Sequence, residues 1–355
     1  MNIEDLGYTQ QLSDFLKENN LTGSVYGRVT QEHRERYVVS TGDNEYDAEI
    51  TGNLRFSSSS RADFPAVGDW VAMTVYDQNM AIIHTVLPRH SVLERQAVGK
   101  PGEKQIISTN VDIAFIVQSI DNNFNVNRLE RYMTVCYSSG IEPVLVISKI
   151  DLSTEKELLD AVNTIKTRHE GIKYILLNNL SADGPEQIFN FMKRGKTYCV
   201  VGSSGVGKST LINNLLKKDV MKTGSISDST NKGRHITGHR ELFILDNGAI
   251  IIDTPGMKEL GVTGSIEGIK STFQQIYDLT LECKFPDCTH NTEKGCAVIA
   301  ALNEGAIDSA SLDNFRKILR EQERFTTTLA EKRKKDKEFG KMAKSVMKEK
   351  KKSKF

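Results

Sequence analysis

The spacing of apolar residues changes along the chain, and each change predicts a different kind of structure. In the first 20 residues, Leu12, Phe15 and Leu16 recur at helical spacing, which predicts an amphipathic helix. Between about Gly23 and Leu93, apolar residues fall in short β-rich stretches separated by Gly, Asp, Asn and Ser. The stretches are SVYGRVT, RYVVST, YDAEIT, DWVAMTVY and AIIHTVL. So many short strands in so few residues predict a small closed β-barrel.

From about Val111 onward, strand patterns alternate with helical ones. The apolar run VDIAFIVQSI has the composition of a strand that is buried on both faces. Further strand patterns are EPVLVIS, IKYILLN and TYCVVG, followed by the hairpin ELFILDNGAIIID. The predicted helices cover residues 127–139, 156–167, 185–193 and 208–217. This alternation predicts a mostly parallel sheet between two layers of helices, and the chain after about Gly264 is predicted to be mainly helical.

The stretch GSSGVGKS follows one of these apolar strands and opens a helix. It fits the pattern G-x-x-x-x-G-K-S/T, in the strand–loop–helix context that a phosphate-binding loop requires. Successive N–H groups would point at phosphate oxygens, Lys208 would reach the β- and γ-phosphates, and Ser209 would bind Mg²⁺. The alternative is a chance glycine-rich turn. The predicted nucleotide-binding residues of this loop are Gly202, Ser203, Ser204, Gly205, Val206, Gly207, Lys208, Ser209 and Thr210.

Two more candidate segments lie downstream of the loop. Asp253 ends a predicted buried strand and begins D-x-x-G, so its carboxylate can hold Mg²⁺ while the N–H of Gly256 meets the γ-phosphate. The polar stretch from Ser225 to Arg240 lacks periodicity, as expected of a loop that orders around a γ-phosphate. Within it, Thr237 is placed to offer a hydroxyl to Mg²⁺. The alternative for any single Thr or His there is an ordinary exposed residue.

Upstream of the loop, a carboxylate follows another buried strand in the sequence SKID at residues 148–151. Asp151 can accept both N–H donors of guanine, a pair that adenine lacks, and would therefore select the base. The stem of Lys149 would lie along the face of the base. Ser181 and Ala182, which come after the next strand, would place a backbone N–H on the guanine oxygen.

These motifs resemble the sequence motifs of GTPases, but the two base-recognition motifs come first in the chain. The sequence is therefore similar to a circularly permuted GTPase, with GTP as substrate, GDP as product and Mg²⁺ as the metal. Ser148 stands where an Asn normally braces the phosphate-binding loop, and Met257 stands where many GTPases have a water-orienting Gln. The resemblance then implies that catalysis uses His235 together with Lys208 and Thr237. It also implies slow turnover that a partner accelerates.

Three of the five cysteines lie close together with a histidine near the end of the chain. Their spacing, C-x₄-C-x-H-x₅-C, supplies the Cys₃His set of a closed structural zinc site. The four candidate ligands are Cys283, Cys288, His290 and Cys296. The alternative, free cysteines in a core, conflicts with the polar residues around them. Cys136 and Cys199 lie in apolar contexts and are predicted to be packing residues.

Composition sets limits on the class of protein. The 355 residues are 38% hydrophobic and 26% charged, which predicts two or three domains with modest cores. No run reaches the ~18 apolar residues that would span a bilayer, and the N-terminus lacks a signal-peptide pattern. We therefore expect a cytoplasmic protein with no membrane contact, which the clustered cysteines also favour. Residues 331–355 carry a net charge of +8, whereas the whole chain carries +1. This tail is therefore predicted to bind a polyanion, unless it only aids solubility.

Several short stretches narrow the resemblance to the RsgA family of small ribosomal subunit biogenesis GTPases, which includes YjeQ and YloQ. They are PAVGDWV at 65–71, GRH at 233–235, CTH at 288–290 and GCAV at 295–298. The resemblance implies a multidomain protein with an N-terminal OB-fold β-barrel, a central α/β P-loop GTPase domain and a C-terminal, mainly helical zinc-binding domain. It divides the chain into 1–105, 106–268, 269–330 and a basic tail at 331–355.

The same resemblance implies a monomer that binds the 30S ribosomal subunit and its 16S rRNA. The subunit would stimulate GTP hydrolysis, and the protein would act as a checkpoint late in subunit maturation. Barrels of this kind bind nucleic acid through basic and aromatic side chains. The candidates are Arg28, His33, Arg34, Arg36, Tyr37, Arg55 and Arg61. Two other readings are a passive RNA-binding factor that its nucleotide only stiffens, and an ATP-using kinase, which Asp151 disfavours.

Overall fold

The structure is a computed structural model of the chain. It describes residues 2–19, 23–33, 36–58, 60–96, 104–121, 124–181, 183–218, 240–254 and 265–326. Within these ranges every helix is too short or too polar to span a lipid bilayer. A barrel with an N-terminal helix, an α/β sheet and a group of helices follow one another along the chain.

The first part is a closed five-stranded β-barrel, which confirms the prediction from the sequence. Its strands are β1 (Val25–His33), β2 (Arg36–Ser40), β3 (Glu45–Ile50), β4 (Trp70–Asp77) and β5 (Met80–Val86). They pair in the order β1-β2-β3-β5-β4, and β4 returns to β1 to close the barrel. Side chains alternate between the two faces of each strand, so Val29, Val39 and Ile83 are buried inside while Arg36 and Glu49 are exposed.

Short helical segments accompany the barrel. They are a 3-10 helix (Ile3–Leu6), α1 (Gln10–Glu18), α2 (Gly52–Ser57) and a second 3-10 helix (Arg61–Asp63). Leu12 and Leu16, two of the residues at helical spacing, are buried with Leu6, Trp70 and Leu87. The prediction of an N-terminal amphipathic helix is confirmed. Helix α2 was not predicted, and none of its residues is buried.

A two-stranded hairpin connects the barrel to the α/β sheet. It consists of β6 (Val92–Gln96) and β7 (Lys104–Thr109), which pair antiparallel. The sequence pattern did not predict this hairpin, because only two of the five β6 residues are apolar. The boundary expected after residue 105 falls inside β7. The domain bounds themselves stay a prediction.

The second part is a sheet with helices on both faces, as the alternating pattern predicts. Its strands are β8 (Ile113–Ser119), β9 (Glu142–Ser148), β10 (Tyr174–Leu177), β11 (Thr197–Val201), β12 (Arg240–Ile244) and β13 (Ile250–Asp253). Their order is β10-β9-β8-β11-β13-β12, and all neighbours pair in parallel except β12 and β13, the predicted hairpin. Its helices are α3 (Val126–Ser138), α4 (Glu155–Arg168), α5 (Asp183–Phe191) and α6 (Lys208–Leu216). A 3-10 helix (Ile150–Leu152) follows β9.

Two clusters of buried apolar residues cover the two faces of this sheet. One contains residues of α3 and α4 such as Leu129 and Ile165, and the other contains residues of α5 and α6 such as Ile188 and Leu211. Cys136 and Cys199 are fully buried, as predicted for packing residues. Helices α3 and α6 therefore lie on opposite faces of the sheet.

The barrel and the α/β sheet share hydrogen bonds between strands. Strand β1 of the barrel pairs antiparallel with β12, so eleven strands form one continuous sheet. Gln31 lies opposite Glu241 and donates to its carboxylate at 2.7 Å, and Glu32 forms an ion pair with Arg240 at 3.2 Å. The chain that precedes β12 is the polar stretch expected to be the nucleotide switch, so the barrel contacts the strand directly after it.

The third part is helical, as predicted. It comprises α7 (Ile266–Thr272), α8 (Gln274–Leu281), α9 (Ala297–Asn303) and α10 (Ser309–Thr326). These helices bury their own core, which includes Phe273, Ile276, Phe315 and Ile318. The candidate zinc ligands lie between α8 and the start of α9. Residues 331–355, the predicted basic tail, lie outside the described residues.

Candidate nucleotide-binding and metal sites

The predicted phosphate-binding loop lies at the carboxyl end of β11, where the chain passes into α6. Gly202 has φ 145°, and a Cβ built on it would lie 2.2 Å from the carbonyl oxygen of Val117. Gly207 has φ 95°, a left-handed conformation that side chains rarely adopt. Glycine is therefore required at both places for the loop to curl. A curled glycine-rich loop that leads into a helix N-terminus is the arrangement that presents backbone N–H groups to an anion.

The lysine of the motif folds back over the loop. Lys208 Nζ donates to the carbonyl oxygen of Ser203 at 2.5 Å. Ser209 and Thr210 follow Lys208 on the first turn of α6, and all three side chains are half-buried. The lysine and the two hydroxyl groups thus occupy one end of α6, beside the loop that carries the N–H donors.

Ser148 takes over the bracing contact that an Asn usually makes in GTPases. It is fully buried at the end of β9, and its Oγ donates to the carbonyl oxygen of Val206 in the phosphate-binding loop at 2.7 Å. The shorter side chain reaches the loop because β9 ends close to it. The brace is therefore kept, in a different chemical form from the usual one.

A second brace comes from Asn179, which sequence reasoning missed. Its Nδ2 donates to the carbonyl oxygen of Gly207 at 3.1 Å, and its backbone carbonyl oxygen accepts from the side-chain amide of Asn214 of α6 at 3.0 Å. Asn179 follows β10, two residues before Ser181. Its position after a strand, beside the predicted S-A motif, was the one signal in the sequence that could have identified it.

The candidate guanine-binding residues lie beside these braces. Asp151 is exposed on the 3-10 helix after β9, and Lys149 has a left-handed backbone with φ 57°. Lys149 Nζ lies 3.3 Å from the carboxylate of Asp121, which follows β8. The hydroxyl of Ser181 donates to the carbonyl oxygen of Asn178 at 3.1 Å and is exposed. The carboxyl ends of β8, β9 and β10 therefore place these side chains on one edge of the sheet.

Asp253 lies at the other side of the phosphate-binding loop. It ends β13, next to β11, and is only 7% exposed. Burial, together with the Glu241 carboxylate directly opposite on β12, raises the pKa of its carboxyl to about 6, although Lys208 opposes the shift. Two carboxylates and one ammonium group are thus close enough to affect one another, and Ser209 is the next residue after that lysine. Carboxylate and hydroxyl oxygens are ligands that suit Mg²⁺.

Four of the predicted site residues lie outside the described part of the chain. They are Ala182, His235, Thr237 and Gly256. Their roles remain predictions. The residues that are described, from the ends of β9, β10, β11 and β13, meet at the same edge of the sheet although the base-recognition motifs come first in the sequence.

The four candidate zinc ligands converge in space. The ligand atoms of Cys283, Cys288, His290 and Cys296 all lie within 4.8 Å of one another. Cys283 Sγ is 3.8 Å from Cys296 Sγ and 3.5 Å from His290 Nδ1. A tetrahedral zinc with bonds of about 2.3 Å to sulfur and 2.0–2.1 Å to nitrogen needs separations of roughly 3.5–3.8 Å between its ligands. Cys283, His290 and Cys296 therefore already have the separations that zinc requires, and the full set fits the ion once its widest separation closes by about 1 Å.

The backbone around this cluster is held by local hydrogen bonds. The carboxylate of Glu293 accepts from the N–H groups of Thr289, Asn291 and Thr292, at 2.8, 2.8 and 3.0 Å. Hydrogen bonds from the hydroxyl and N–H of Thr289 hold the pKa of the Glu293 carboxyl well below its usual range. His290 itself has φ 57°, a left-handed conformation. The turn is thus shaped so that the imidazole faces the three thiols.

Comparison with known proteins agrees with this arrangement. A family model described as RsgA GTPase matches residues 86–263, and one described as 50S ribosome-binding GTPase matches residues 197–332. The small ribosomal subunit biogenesis GTPase RsgA 2 of Lactiplantibacillus plantarum is 42% identical over 90% of this chain and 89% of its own length. This chain belongs to the RsgA GTPase family. It is a GTPase, and GTP and GDP are its substrate and product.

Other members of the RsgA family cover the whole chain. The RsgA 1 protein of Bacteroides thetaiotaomicron is 38% identical over 98% of both chains. Two solved structures share the fold. YloQ, titled a circularly permuted GTPase, has a TM-score of 0.62 and 22% identity and covers 85% of this chain and 96% of its own. YjeQ from Thermotoga maritima has a TM-score of 0.62 and 24% identity, with coverages of 84% and 98%.

For two residues of this RsgA-family barrel, the prediction that they bind RNA is wrong. Arg28 is 1% exposed, and its guanidinium donates to the carbonyl oxygens of Leu6, Gly68 and Asn110 at 2.6, 3.1 and 3.1 Å. Burial lowers its pKa to about 10. Tyr37 is buried in the barrel core. Arg28 therefore joins the N-terminal segment, the barrel and the α/β sheet, and Tyr37 packs the barrel.

The remaining candidates on the barrel are more accessible. Arg36, Arg55 and Arg61 are exposed and His33 is half-buried, whereas Arg34 lies outside the described residues. Sequence reasoning missed Phe56 on α2, which is 91% exposed and adjoins Arg55. An exposed aromatic ring beside a guanidinium is the combination that stacks on nucleic-acid bases.

Proposed function

We propose that this GTPase works on the small ribosomal subunit and acts as a checkpoint late in its maturation. The observation that carries the proposal is the direct strand pairing between the barrel and β12. It connects a candidate RNA-binding domain to the strand that follows the nucleotide switch. The names of the RsgA relatives support the small subunit as the partner. We also propose that the protein acts as a cytoplasmic monomer.

For the reaction itself, we propose roles for the residues at the sheet edge. Asp151 and Lys149 would hold guanine, with Ser181 and Ala182 on its oxygen. The N–H groups of residues 202–210 would hold the phosphates, while Lys208 meets the β- and γ-phosphates. When bound, Mg²⁺ would neutralise phosphate charge.

The remaining roles concern the metal and the attacking water. Ser209, Thr237 and Asp253 would hold Mg²⁺. Gly256 would donate its N–H to the γ-phosphate, and His235 would position the water, because Met257 has no group that can do so. The support is that Ser209 follows Lys208 on the first turn of α6 and that the charge of Lys208 acts to lower the pKa of the Asp253 carboxyl, so both groups lie near this lysine.

The zinc cluster would have a structural role. The cysteine thiolates and His290 would hold one Zn²⁺ and leave no open position for a substrate, because the set already has four ligands. Glu293 and Arg316 shape the turn, the arginine by a hydrogen bond to the carbonyl oxygen of His290. The ion would thus fix the connection between α8 and α9.

RNA contact would use the exposed side of the barrel. Phe56 is expected to stack on a base, while Arg55, Arg61 and Arg36 contact phosphates. The basic tail at 331–355 would add affinity that falls as salt rises. Removing that tail should therefore weaken subunit binding most at low salt.

The test is GTP hydrolysis by the full chain with and without purified 30S subunits, for the natural protein, His235→Ala and Lys208→Ala. We expect stimulation by the subunit for the natural protein, loss of most of that stimulation in His235→Ala, and no turnover in Lys208→Ala. A passive RNA-binding factor would show no stimulation, and Lys208→Ala would still support growth of cells that depend on it. An ATP-using kinase would show preferential binding of ATP in competition with GTP.

A further inference from the structure

Arg128, in the first turn of α3, touches the phosphate-binding loop. Its Nη1 donates to the Oγ of Ser203 at 3.1 Å. Lys208 Nζ donates to the carbonyl oxygen of the same residue at 2.5 Å. The arginine and the lysine come from α3 and α6, which lie on opposite faces of the sheet, and they contact different atoms of this loop residue. Two cations therefore converge on Ser203.

The backbone that carries Arg128 is held from both directions. The side chain of Asn125 caps α3 by accepting from the N–H of Arg128 at 3.1 Å. Asn127 accepts from Arg168 on its side chain and from Asn314 on its carbonyl oxygen, both at 3.1 Å. The first turn of α3 is thus clamped between α4 and α10. A guanidinium on such a turn is positioned in advance, as a group that stabilises developing charge must be.

The stability of α3 does not explain an arginine at this place. A cation in the first turn of a helix is opposed by the helix dipole, which favours acidic residues there. Among the residues that the structure describes, Arg128 forms no ion pair, and its side-chain hydrogen bond goes to the neutral hydroxyl of Ser203. In the described ranges, the positive charge therefore lies beside the loop without a carboxylate paired to it.

We propose that Arg128 is a catalytic residue of this GTPase that binds the γ-phosphate. The motif places Lys208 on the β- and γ-phosphates, and the contact of Lys208 with Ser203 puts the guanidinium of Arg128 beside that same point. As water forms its bond to the γ-phosphorus, the bond to the bridging oxygen breaks and GDP leaves with the electron pair, while one proton of the water passes to an oxygen of the phosphate product. Arg128 keeps its protons and donates hydrogen bonds to the γ-phosphate oxygens, where negative charge is spread.

The test compares Arg128→Ala, Arg128→Lys and Ser203→Ala in the full chain, without ribosomal subunits. The readouts are the affinities for GDP and for the non-hydrolysable GTP analogue GppNHp, and the single-turnover rate of GTP hydrolysis. For Arg128→Ala we expect weaker binding of GppNHp with unchanged GDP affinity, and a rate about 10²-fold lower. Arg128→Lys should keep part of the GppNHp affinity, because it keeps the charge but loses the planar fork.

Two controls separate this role from a structural one. Ser203→Ala removes the hydroxyl that Arg128 contacts but keeps the N–H groups of the loop, so we expect a smaller loss of rate than in Arg128→Ala. If the two variants lose GppNHp affinity and rate equally, the arginine acts only by holding Ser203 and the proposal is wrong. Arg131→Ala, on the same helix but paired with Glu321, should leave both nucleotide affinities unchanged. Equal loss of GDP and GppNHp affinity in Arg128→Ala would also overturn the proposal. The proposal rests on GTP hydrolysis, and it can fail or hold whether or not the 30S subunit stimulates turnover.

Discussion

The nucleotide site and the cysteine cluster are assembled in opposite ways. The nucleotide site takes its residues from the ends of β9, β10, β11 and β13, which are far apart in sequence, and the parallel sheet brings them together. The cysteine cluster takes all four ligands from one turn between α8 and α9. The first site therefore exists as long as the sheet is intact, whereas the second is expected to depend on its ion.

This difference explains why the motifs could change order without losing their geometry. Strand ends at one edge of a sheet stay neighbours wherever the chain begins, so a permuted sequence still places Ser148 and Asn179 against the phosphate-binding loop. The cluster between Cys283 and Cys296 cannot be divided in this way, because its ligands converge only while they stay close together in the sequence. The predictions below test how independent the two regions are.

The largest expected effect is that of removing zinc. A structural Zn²⁺ contributes roughly 10–16 kcal/mol of apparent binding free energy in zinc-finger peptides, so chelation or Cys288→Ser should unfold the turn between α8 and α9. Hydrogen exchange of the intact protein should then show lost protection in residues 283–296. GDP affinity should stay unchanged, because the sheet edge does not use the ion.

Metal analysis of the purified chain is the control for this prediction. It should give stoichiometric zinc for the natural protein and none for Cys288→Ser, while Cys136→Ser should retain zinc. Absence of zinc from the intact natural protein would contradict the zinc assignment. Loss of GDP binding on chelation would show instead that the two regions are coupled.

The second prediction concerns the contact between α3, beside the nucleotide site, and α10 of the helical part that carries the cysteine cluster. Glu130 of α3 is fully buried and accepts from Arg168 at 3.3 Å, His169 at 3.2 Å and Asn314 of α10 at 2.6 Å. Glu130→Ala leaves these donors without their carboxylate and should cost about 3–5 kcal/mol of unfolding free energy. Urea denaturation of the natural protein and of Glu130→Ala measures this difference in unfolding free energy.

A matched control lies on the next residue of the same helix. Arg131 pairs with Glu321 of α10 at 2.7 Å, but both side chains are partly exposed. Arg131→Ala should therefore cost no more than about 1 kcal/mol. Similar losses for Arg131→Ala and Glu130→Ala would mean that burial of the network adds nothing, and that the helical part is joined to the sheet only loosely.

Base selection is the third prediction and concerns the nucleotide site alone. Asp151→Asn replaces a carboxylate that accepts two N–H donors of guanine with an amide that accepts fewer and adds a donor. Hydrogen bonds to charged groups contribute about 1.5–3 kcal/mol each, so GDP affinity should fall roughly 10²-fold. Xanthosine diphosphate, which offers a carbonyl in place of the amino group, should bind the variant better than GDP does. Unchanged GDP affinity would remove Asp151 from the base site.

The sequence was most informative where function depends on local spacing. The phosphate-binding loop and the zinc ligands were identified from runs of residues whose chemistry is visible in the sequence itself. The closed barrel and the three-layer sheet were predictable because apolar spacing reports burial. Asn179 and Glu241 were missed because their roles depend on which strand ends lie beside the loop, which spacing does not show.

The errors on the barrel have a related cause. Arg28 and Tyr37 were assigned to RNA because basic and aromatic residues on a barrel suggest nucleic acid. Side chains of a strand alternate between two faces, however, and the sequence does not reveal which face meets a neighbouring part of the chain. Arg28 points at three carbonyl groups where the N-terminal segment, the barrel and the α/β sheet meet, which only the assembled fold shows.

The smallest expected effect tests the long-range brace of the nucleotide site. Ser148→Ala removes the hydroxyl that donates to the carbonyl oxygen of Val206 at 2.7 Å, so this buried residue of the loop loses a hydrogen-bond partner. We expect the binding free energy of GDP to weaken by about 1 kcal/mol, which is roughly a fivefold loss of affinity. Ser153→Ala is the matched control, because its hydroxyl donates at 2.9 Å to Ile150, outside the loop. If both variants bind GDP like the natural protein, the hydroxyl of Ser148 is dispensable. The packing of the sheet and the hydrogen bond from Asn179 to Gly207 would then be enough to place the loop.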